Sequence, residues 1–380
     1  MKLNEIPWVI QEQTRIKHDL LSKYISPWMK ILFKTQESHN FAKQLFYFDG
    51  FSGPGSYYED ETRTVTVDGS PLIVADIANL YIKQDSERKV SMYCIDKEEQ
   101  CTSRLETLLK THNQFGQDWL VFQGSFECEM PKLLDLLEVK HLTDYPIFVF
   151  VDHFGYGGFP LRLLSRIMTY PRVELFINLM VYDIIRFLND PGKKNVLDAL
   201  FGSDDYAKEC IDASEANKPI CLVNLYCRNL IKLANAKYVM PFRINTPEQG
   251  KRPRYYLIHA SKSYTAFKLM KDIMHRKSDS SFSFEAIGVK SDQMSLFEEP
   301  DKIDLRNRLL SFIEMNKQQM TDYSNAERWA YENTNGVNNT IKHSLMELEH
   351  DGNIKILRLK GQRTNTVVTG AKLAFIKGMT

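Results

Sequence analysis

The feature that most constrains this chain is a repeated alternation of short, continuous apolar segments with segments of helical spacing. The apolar segments are "LFYFD" (45–49), "VSMYCID" (90–96), "WLVFQ" (119–123), "YPIFVFVD" (145–152) and "VELFINLM" (173–180). The helical segments are "PLIVADIANLYIKQ" (71–84), "KEEQCTSRLETLLKTH" (97–112) and "MPKLLDLLEVK" (130–140), the last with Pro131 in its first turn. Strands without a polar face, separated by helices, are typical of a parallel sheet covered on both faces. The pattern predicts an α/β fold with a mostly parallel central sheet and helices on both faces.

The flanking regions extend this pattern. One or two amphipathic helices are expected over 10–36, and later segments predict helices at about 217–235 and 264–276 and strands at 237–245 and 255–261. Residues 278–300 lack a sustained period and are typical of a linker. Helical spacing in 301–316 and 338–352, then a β-like pair within 354–370, predicts a small winged-helix-like module. The expected domains are 1–277, a linker over 278–300, and 301–380.

Composition excludes several classes of protein. A hydrophobic content of 43% fills a sizeable core, and 49 basic against 48 acidic residues argue against coating nucleic acid by bulk charge. The six cysteines form no C-x-x-C pair, which predicts reduced, mostly buried cysteines and no structural zinc site. The N-terminus has no apolar core of an export signal, and no segment approaches the roughly 20 apolar residues of a membrane helix. We therefore expect a cytoplasmic protein.

A glycine-rich turn follows the first strand in "YFDGFSGPGSYYED" (47–60). Asp49 ends the strand, and Phe51, Gly53 and Gly55 follow it. Glycine allows close approach of a ligand to the backbone and positive φ values, although such turns also join strands to helices for structural reasons alone. We call residues 49–55 the glycine turn and predict that it faces a ligand.

Residues at the ends of the second and third strands indicate that this ligand is a nucleoside. Asp96 ends the second strand, where a carboxylate accepts hydrogen bonds from both ribose hydroxyls. After the third strand, Ser125 is a candidate for the adenine edge and Phe126 for the adenine face. The G-x-G-x-x-G spacing is absent, and the polar segment "SYYEDETRTVTVDGS" separates Gly55 from the next helix, so a pyrophosphate lacks its usual seat at a helix N-terminus. This favours S-adenosylmethionine over a dinucleotide.

Several motifs together resemble the three-Cys-motif partner protein family, and more distantly the ribosomal-RNA adenine-N6 methyltransferases. The likeness covers roughly 10–277 and is carried by "YFDGFSGPG", "GSPLIVADIA", "YCIDKEE", "VFVDHFGYGG", "ELFINLM" and "YYLIHASKSYTAFKLMKDIM". It implies a Rossmann-like methyltransferase fold, S-adenosylmethionine as cofactor, and a partner protein that carries the three-cysteine, radical-chemistry-like motif. It also matches Asp49, Gly53 and Gly55 to the glycine loop, Asp96 to the ribose acid, and Ser125 with Phe126 to the adenine contact.

The same resemblance supplies further candidates. Lys17-His18 is similar to a pair beside the cofactor on the N-terminal helix of the ribosomal-RNA enzymes; otherwise His18 is an ordinary surface residue. Asp152 and Phe154 match the groups that bind the acceptor amine and stack on the base, whereas His153 stands where that family has its first proline. His153 is therefore either a general base or a residue packed beneath the loop. Asn178 and Arg186 are candidates for the border of the substrate pocket; otherwise Arg186 is a surface ion-pair partner, which is the more common case for an arginine.

A basic segment and a short peptide suggest macromolecular partners. Residues 237–277 are rich in Lys and Arg, with tyrosines interleaved, which is typical of nucleic-acid contact or of a solvated helical face. The candidate contacts there are Arg252, Arg254, Lys262, Lys268 and Lys271, with Tyr255, Tyr256 and Tyr264 as stacking rings. "QMSLF" (Gln293–Phe297) resembles the peptide by which bacterial DNA-processing proteins bind the sliding clamp, or else it packs on the domain surface.

Three functions remain open at this point. The leading hypothesis is an S-adenosylmethionine-dependent methyltransferase that acts on a nucleic acid base or a modified nucleotide with its partner protein. The second is a non-catalytic subunit of the same fold that presents substrate or cofactor to that partner. The third, a sequence-specific DNA-binding regulator, leaves the glycine turn without a role.

Overall fold

The structure is a computed structural model that describes residues 6–39, 43–244, 255–277, 284–286, 305–317 and 320–376. Contacts divide the chain into two compact units, Met1–Phe284 and Glu285–Thr380. The division falls inside the segment that the sequence predicts as a linker. Within the described ranges, no helix is both long enough and apolar enough to cross a bilayer.

The first unit is built on an eight-stranded sheet, to which a separate two-stranded hairpin is added. Its strands are β1 (Gln44–Asp49), the hairpin strands β2 (Ser56–Tyr58) and β3 (Thr66–Asp68), β4 (Lys89–Asp96), β5 (Trp119–Gln123), β6 (Ile147–Val151), β7 (Val173–Leu179), β8 (Tyr238–Ile244), β9 (Tyr255–Ser261) and β10 (Phe284–Ala286). The order in the large sheet is β10-β8-β9-β7-β6-β1-β4-β5. Five neighbouring strands are parallel, and β9 is antiparallel to both β7 and β8. The predicted α/β fold class is confirmed: this is a mostly parallel, Rossmann-like sheet connected by helices.

Helices connect these strands. They are α1 (Glu12–Ser38), α2 (Ser70–Gln84), α3 (Glu99–His112), α4 (Phe126–Val139), α5 (Leu161–Ile167), α6 (Val181–Phe187), α7 (Lys194–Phe201), α8 (Asp205–Glu209), α9 (Lys218–Lys232) and α10 (Tyr264–Lys277). The prediction for α4 is wrong at its start, because Ser125 caps the helix and Pro131 lies inside it rather than in its first turn. The sequence pattern also missed α5, α6, α7 and α8, which are short. β6 and β7 are buried along their whole lengths, as expected of strands covered on both faces.

The polar segment after Gly55 is a β-hairpin, not an irregular excursion. β2 and β3 pair antiparallel from Ser56↔Asp68 to Tyr58↔Thr66. The Gly69 N–H then donates to the Gly55 carbonyl over 2.7 Å, so the chain leaves the glycine turn and returns beside it. As a result α2 begins next to Gly55 in space, although fourteen or so positions separate the two in sequence.

The expectation that all six cysteines are reduced is wrong for one pair. Cys210, which follows α8, is bonded to Cys221 in the first turn of α9, with Cα atoms 5.7 Å apart. The pairing arises because α8 and α9 pack against each other, which the sequence separation of 11 does not reveal. Cys94, Cys101, Cys128 and Cys227 are free, and all but Cys128 are buried.

The second unit combines three helices with a three-stranded antiparallel sheet. Its elements are α11 (Leu305–Met315), β11 (Thr321–Asp322), α12 (Tyr323–Asn333), α13 (Asn338–His350), β12 (Ile354–Leu357) and β13 (Lys372–Phe375), with strand order β11-β13-β12. Its core includes Leu309, Ile313, Ile341, Leu345 and Leu373. The predicted β-pair within 354–370 is wrong for its second strand, which lies at 372–375 because the connection is longer than expected. The winged-helix interpretation of this unit stays a prediction.

Candidate functional site

The carboxyl ends of β1 and β4 are joined by a hydrogen bond between a glycine and an acid. The Gly53 N–H donates to Asp96 Oδ2 over 2.8 Å, and the Glu98 N–H donates to Asp96 Oδ1 over 2.9 Å. Burial raises the pKa of Asp96, while these two donors act in the opposite direction. The carboxylate is therefore held at the crevice where a ribose is expected, in contact with the glycine turn.

Asp49 stabilises the glycine turn through hydrogen bonds to its buried carboxyl group. It is fully buried, and it accepts hydrogen bonds from the Tyr47 hydroxyl at 2.9 Å and the Phe51 N–H at 3.3 Å. Burial raises the pKa of Asp49 to about 7, and the hydrogen bonds from Ser70 and Tyr47 oppose that rise. Since Ser70 opens α2, this one carboxyl links the end of β1 to the start of the next helix.

The glycines of the turn are needed for conformation and for space. Gly53 and Gly55 have φ values of 59° and 81°, in the left-handed region that favours glycine. A Cβ on Gly55 would lie 2.7 Å from Leu105 Cδ1, and one on Gly50 would lie 2.6 Å from Phe126 Cδ2. Asp49, Gly53, Gly55 and Asp96 thus lie together at one sheet edge.

Three ring side chains, Phe51, Phe126 and His153, pack together near this sheet edge. The Phe51 ring is stacked on Phe126 at 5.6 Å between centroids and meets His153 edge-on at 4.8 Å. Phe126 is almost fully buried, so Phe51 is the more accessible of the two rings toward a ligand. The Ser125 hydroxyl accepts a hydrogen bond from the Cys128 N–H at 3.3 Å as the cap of α4. Its contact with adenine stays a prediction.

The end of β6 carries a buried ion pair. Asp152 is paired with Lys17 of α1, and Asn178 at the end of β7 donates to Asp152 Oδ1 over 2.9 Å. Only 1% of the Lys17 side chain is exposed. Phe154, by contrast, is 54% exposed, and the Lys17 Nζ lies 5.0 Å from its ring centre. The predicted acid and aromatic therefore stand together, with the acid neutralised by a lysine.

Both candidate histidines are neutral at physiological pH. Burial lowers the pKa of His18 to about 4, against an opposing effect of Asp152. Burial likewise lowers the pKa of His153 to about 4, with Asp152 again opposing. His153 also packs against Phe159 at 5.1 Å and Phe51 at 4.8 Å between ring centroids. These contacts favour the packing interpretation of His153 over the general base.

Unpartnered polar atoms surround the same crevice. Among the buried polar atoms of the described residues that lack a hydrogen-bond partner, four belong to side chains around this crevice: Trp8 Nε1, His18 Nδ1, His153 Nδ1 and Asn178 Oδ1. Buried polar atoms are normally paired, so a group of them around one crevice is consistent with a ligand that supplies the missing partners. Together with the left-handed glycines and the Asp96 carboxylate, they fit a nucleoside that carries a charged amino-acid arm.

The structure tests only part of the predicted basic surface. Arg252, Arg254 and Gln293–Phe297 lie outside the described residues. The prediction is wrong for Lys271, which is fully buried because it falls on the same face of α10 as Phe267 and Met274. The stacking role is wrong for Tyr255 and Tyr256, which are buried in β9.

Lys262, Lys268 and Arg186, three more of the predicted contact residues, lie at different places on the first unit. Because β9 is antiparallel to β7, Lys262 follows β9 at the sheet edge opposite to the crevice, where it donates to the Tyr170 carbonyl over 3.2 Å. Lys268 is half-buried in α10. Arg186 is 63% exposed on α6, with Asp183 at 3.9 Å.

Sequence reasoning missed two parts of the site. Lys17 was seen only as the neighbour of His18, and its pairing with Asp152 joins positions 135 apart. Tyr57 of β2 was not singled out, yet the carboxylates of Asp152, Asp49 and Asp96 add to burial in raising its pKa. The aromatic doublet "YY" (57–58), which follows Gly55 after one serine, is the only sequence signal for it.

Comparisons with known proteins find solved structures that are similar to this chain at 12% sequence identity. No family model matches the sequence. No curated protein matches it either. Protein LPL1258 from Legionella pneumophila is similar with a TM-score of 0.40 and 12% identity, over 71% of this chain and 96% of that one. An rRNA methylase from Streptococcus thermophilus has a TM-score of 0.30 and 12% identity, over 67% of this chain and 98% of that one.

A precorrin-6y C5,15-methyltransferase from Geobacter metallireducens has a TM-score of 0.30 and 12% identity, over 68% of this chain and 95% of that one. With TM-scores below 0.5, these likenesses assign no activity. The chain's own strand order and side chains therefore carry the functional proposal.

Proposed function

We propose that this chain is an S-adenosylmethionine-dependent methyltransferase that acts on a nucleic acid base or a modified nucleotide, together with a three-Cys-motif partner protein. The observation that carries this is the hydrogen bond from the Gly53 N–H to Asp96, which joins the ends of β1 and β4. On the other side of β1, the end of β6 brings Asp152 and Phe154 to the same sheet edge. Ligands of open α/β sheets bind at this edge.

The cofactor side of the crevice has a nucleoside-binding character. Asp96 offers a carboxylate to ribose hydroxyls, and the Phe51 ring offers an apolar face. When bound, S-adenosylmethionine supplies the methyl group. The buried Asp49 keeps the turn in place beneath it and holds the Phe51 N–H.

The acceptor side has the groups to orient a planar base. Phe154 is exposed at the mouth, as a stacking ring must be, and Asp152 with Asn178 offers polar atoms beside it. Such a site accelerates methyl transfer mainly by holding the methyl donor and the acceptor close together in the correct orientation. A nucleic acid substrate remains supported by these groups rather than by the basic segment.

A specific observation favours the second candidate, a non-catalytic subunit that presents substrate or cofactor to the partner. Asp152 is already engaged by Lys17 and Asn178, so fewer of its lone pairs are open to an acceptor amine. Histidine also stands at position 153 in place of proline. A binding subunit needs the Asp96 side of the crevice and tolerates an occupied Asp152.

Calorimetric titration with S-adenosylmethionine and S-adenosylhomocysteine tests the cofactor assignment. We expect micromolar binding that weakens by 10- to 100-fold in Asp96→Ala, since a charge-assisted hydrogen bond is worth about 1.5–3 kcal/mol. Gly53→Val should abolish binding, because a branched residue does not adopt the φ of 59°. Asp76→Ala, an exposed acid on α2, is the matched control and should bind normally. Absence of binding by the unaltered chain would remove the cofactor assignment.

Turnover separates the two candidates. With RNA, DNA and nucleotides as acceptors, and with the partner present or absent, an enzyme loses methyl transfer in Asp152→Ala but keeps its cofactor affinity. A binding subunit shows no transfer in either form. A clamp contact is tested separately: a peptide of residues 290–300 should bind purified sliding clamp, and no binding at high micromolar concentration rejects that contact.

A further inference from the structure

The β2–β3 hairpin is fixed from three directions. Its backbone pairs with the N-terminal segment, because the Ile10 N–H donates to the Tyr58 carbonyl at 2.9 Å and the Tyr58 N–H donates to the Trp8 carbonyl at 2.8 Å. Arg15 of α1 forms an ion pair with Glu59 at 2.8 Å. Arg104 of α3 donates to the Ser56 hydroxyl at 2.9 Å. The hairpin is therefore a fixed wall rather than a free loop.

Tyr57 is the residue of this wall that faces the glycine turn. Its hydroxyl lies 3.2 Å from the position that a Cβ on Gly53 would take, and its ring edge lies 3.2 Å from the equivalent point on Gly69. The ring also contacts Trp8 at 6.5 Å and His18 at 5.7 Å between centroids. Tyr58, the next residue of the strand, has its ring beside Arg63 at 5.8 Å. Successive side chains of a strand point to opposite faces, so only Tyr57 is directed to the crevice.

The Tyr57 hydroxyl has the properties of a hydrogen-bond donor to a ligand. No residue in the described part of the chain is hydrogen-bonded to it. Burial raises its pKa, and the nearby carboxylates of Asp152, Asp49 and Asp96 raise it further, so the hydroxyl keeps its proton. Two further unpartnered atoms belong to the side chains that pack on its ring, Trp8 Nε1 and the nine-tenths-buried His18 Nδ1.

We propose that Tyr57 and Trp8 form a subsite for the amino-acid arm of the cofactor. The arm is a zwitterion: its ammonium suits the acidic side of the crevice, and its carboxylate accepts hydrogen bonds from the Tyr57 hydroxyl and the Trp8 indole N–H. His18 closes the subsite from α1, where its ring packs on the Tyr57 ring with centroids 5.7 Å apart. This inference rests on the proposed use of S-adenosylmethionine and adds the residues that hold its charged end.

A pair of ligands that differ only in this arm tests the subsite. S-adenosylhomocysteine carries the arm and 5′-methylthioadenosine lacks it. Tyr57→Phe removes one donor and keeps the ring, and Trp8→Phe removes one donor and keeps an aromatic side chain, so each should weaken S-adenosylhomocysteine about tenfold and leave methylthioadenosine within about twofold. Tyr58→Phe, on the opposite face of the same strand, is the control and should change neither affinity.

Each result has one meaning. Selective loss of S-adenosylhomocysteine supports the subsite, provided that thermal unfolding shows each variant folded. Unchanged binding of both ligands by Tyr57→Phe and Trp8→Phe overturns it. Equal loss of both ligands also overturns it, because the two residues would then only support the wall. If the unaltered chain binds neither ligand, the proposed function itself fails and the subsite with it.

Discussion

At the ends of β1 and β4 the acids accept hydrogen bonds from backbone N–H groups of the turn, whereas at the ends of β6 and β7 Asp152 is bound by the side chains of Lys17 and Asn178. We call the first region the cofactor half (Asp49, Gly53, Gly55 and Asp96) and the second the acceptor half (Lys17, Asp152, Phe154 and Asn178). In the cofactor half, Asp96 and Asp49 each hold a backbone N–H of the turn. In the acceptor half, Asp152 is held by the side chains of Lys17 and Asn178.

The difference has a physical consequence. In the cofactor half the two acids fix the backbone of the glycine turn, and a rigid turn suits a ligand of constant shape. A side-chain-built site changes with each residue, which suits a variable acceptor. The acceptor half also depends on α1, because Lys17 comes from that helix and not from the sheet. The two halves should therefore respond differently to substitution, pH and loss of glycine.

The largest effect is expected from breaking the buried ion pair of the acceptor half. Lys17→Met leaves Asp152 buried without its cation, which should lower the free energy of unfolding by about 3–5 kcal/mol. Urea denaturation followed by fluorescence measures this. Lys23→Met is the matched control, since Lys23 pairs with Asp19 on the exposed side of the same helix, and it should change stability little. Similar losses in both variants would mean that Lys17 has no special role.

The next largest effect is a pH dependence of the free energy of unfolding, caused by two histidines whose pKa values burial lowers, His18 of α1 and His153 after β6. His18 and His153 have folded pKa values of about 4, below the unfolded value of 6.5. Between those values the unfolded chain binds more protons, so the free energy of unfolding should fall as pH is lowered from 6.5 toward 4, by up to roughly 3 kcal/mol for each histidine. Denaturation of His18→Asn and His153→Asn across this range should show a flatter profile than the unaltered chain.

Two comparisons complete the pH test. Asp49 acts in the opposite direction, because its folded pKa of about 7 lies above 3.8 and its contribution falls as pH rises through that interval. The difference between each variant and the unaltered chain removes this background. His343, which is exposed on α13, serves as the control. A profile for His18→Asn that parallels that of His343→Asn would show that His18 is not buried in solution.

The sequence predicted those elements whose pattern is set by burial on both faces. β1, β4, β6 and β7 are continuous apolar runs, and a run of that kind has few alternatives to a central strand. The positions of Asp49, Gly53 and Asp96 followed, because parallel strands end at one edge. The β2–β3 hairpin was missed since its strands are short and its second strand, "TVD", is largely exposed.

Other features depend on contacts that no local pattern encodes. The Lys17–Asp152 pair and the Cys210–Cys221 bond both require the packing of separate helices. Lys271 looked like a surface cation by residue type, and only its register on α10 buries it. Local chemistry therefore located the crevice, while tertiary packing decided which side chains in it are already engaged.

A smaller difference in stability is expected between substitutions of Gly55, in the cofactor half, and Gly155, which follows Phe154 of the acceptor half. Gly55→Ala combines a φ of 81° with a Cβ that would lie 2.7 Å from Leu105 Cδ1, so strain and overpacking together should cost about 2–3 kcal/mol. Gly155→Ala also has a positive φ, but its Cβ would meet only His153 Cε1, at 3.6 Å, and the cost should be about 1 kcal/mol. Denaturant midpoints measure both. Equal costs would show that the two turns are equally crowded.

The smallest effect concerns Ser125, at the boundary of the cofactor half. As the cap of α4 it accepts a hydrogen bond from the Cys128 N–H, so Ser125→Ala should cost about 1 kcal/mol, whereas Ser125→Asp keeps a capping oxygen and should cost less. Calorimetry with adenosine then separates capping from base contact. If Ser125→Ala binds adenosine as the unaltered chain does, capping is the whole role of this residue. If the affinity falls while Ser125→Asp stays stable, the hydroxyl also contacts the base, and Ser125 joins Asp96 and Phe51 as a side chain of the cofactor half that binds the nucleoside.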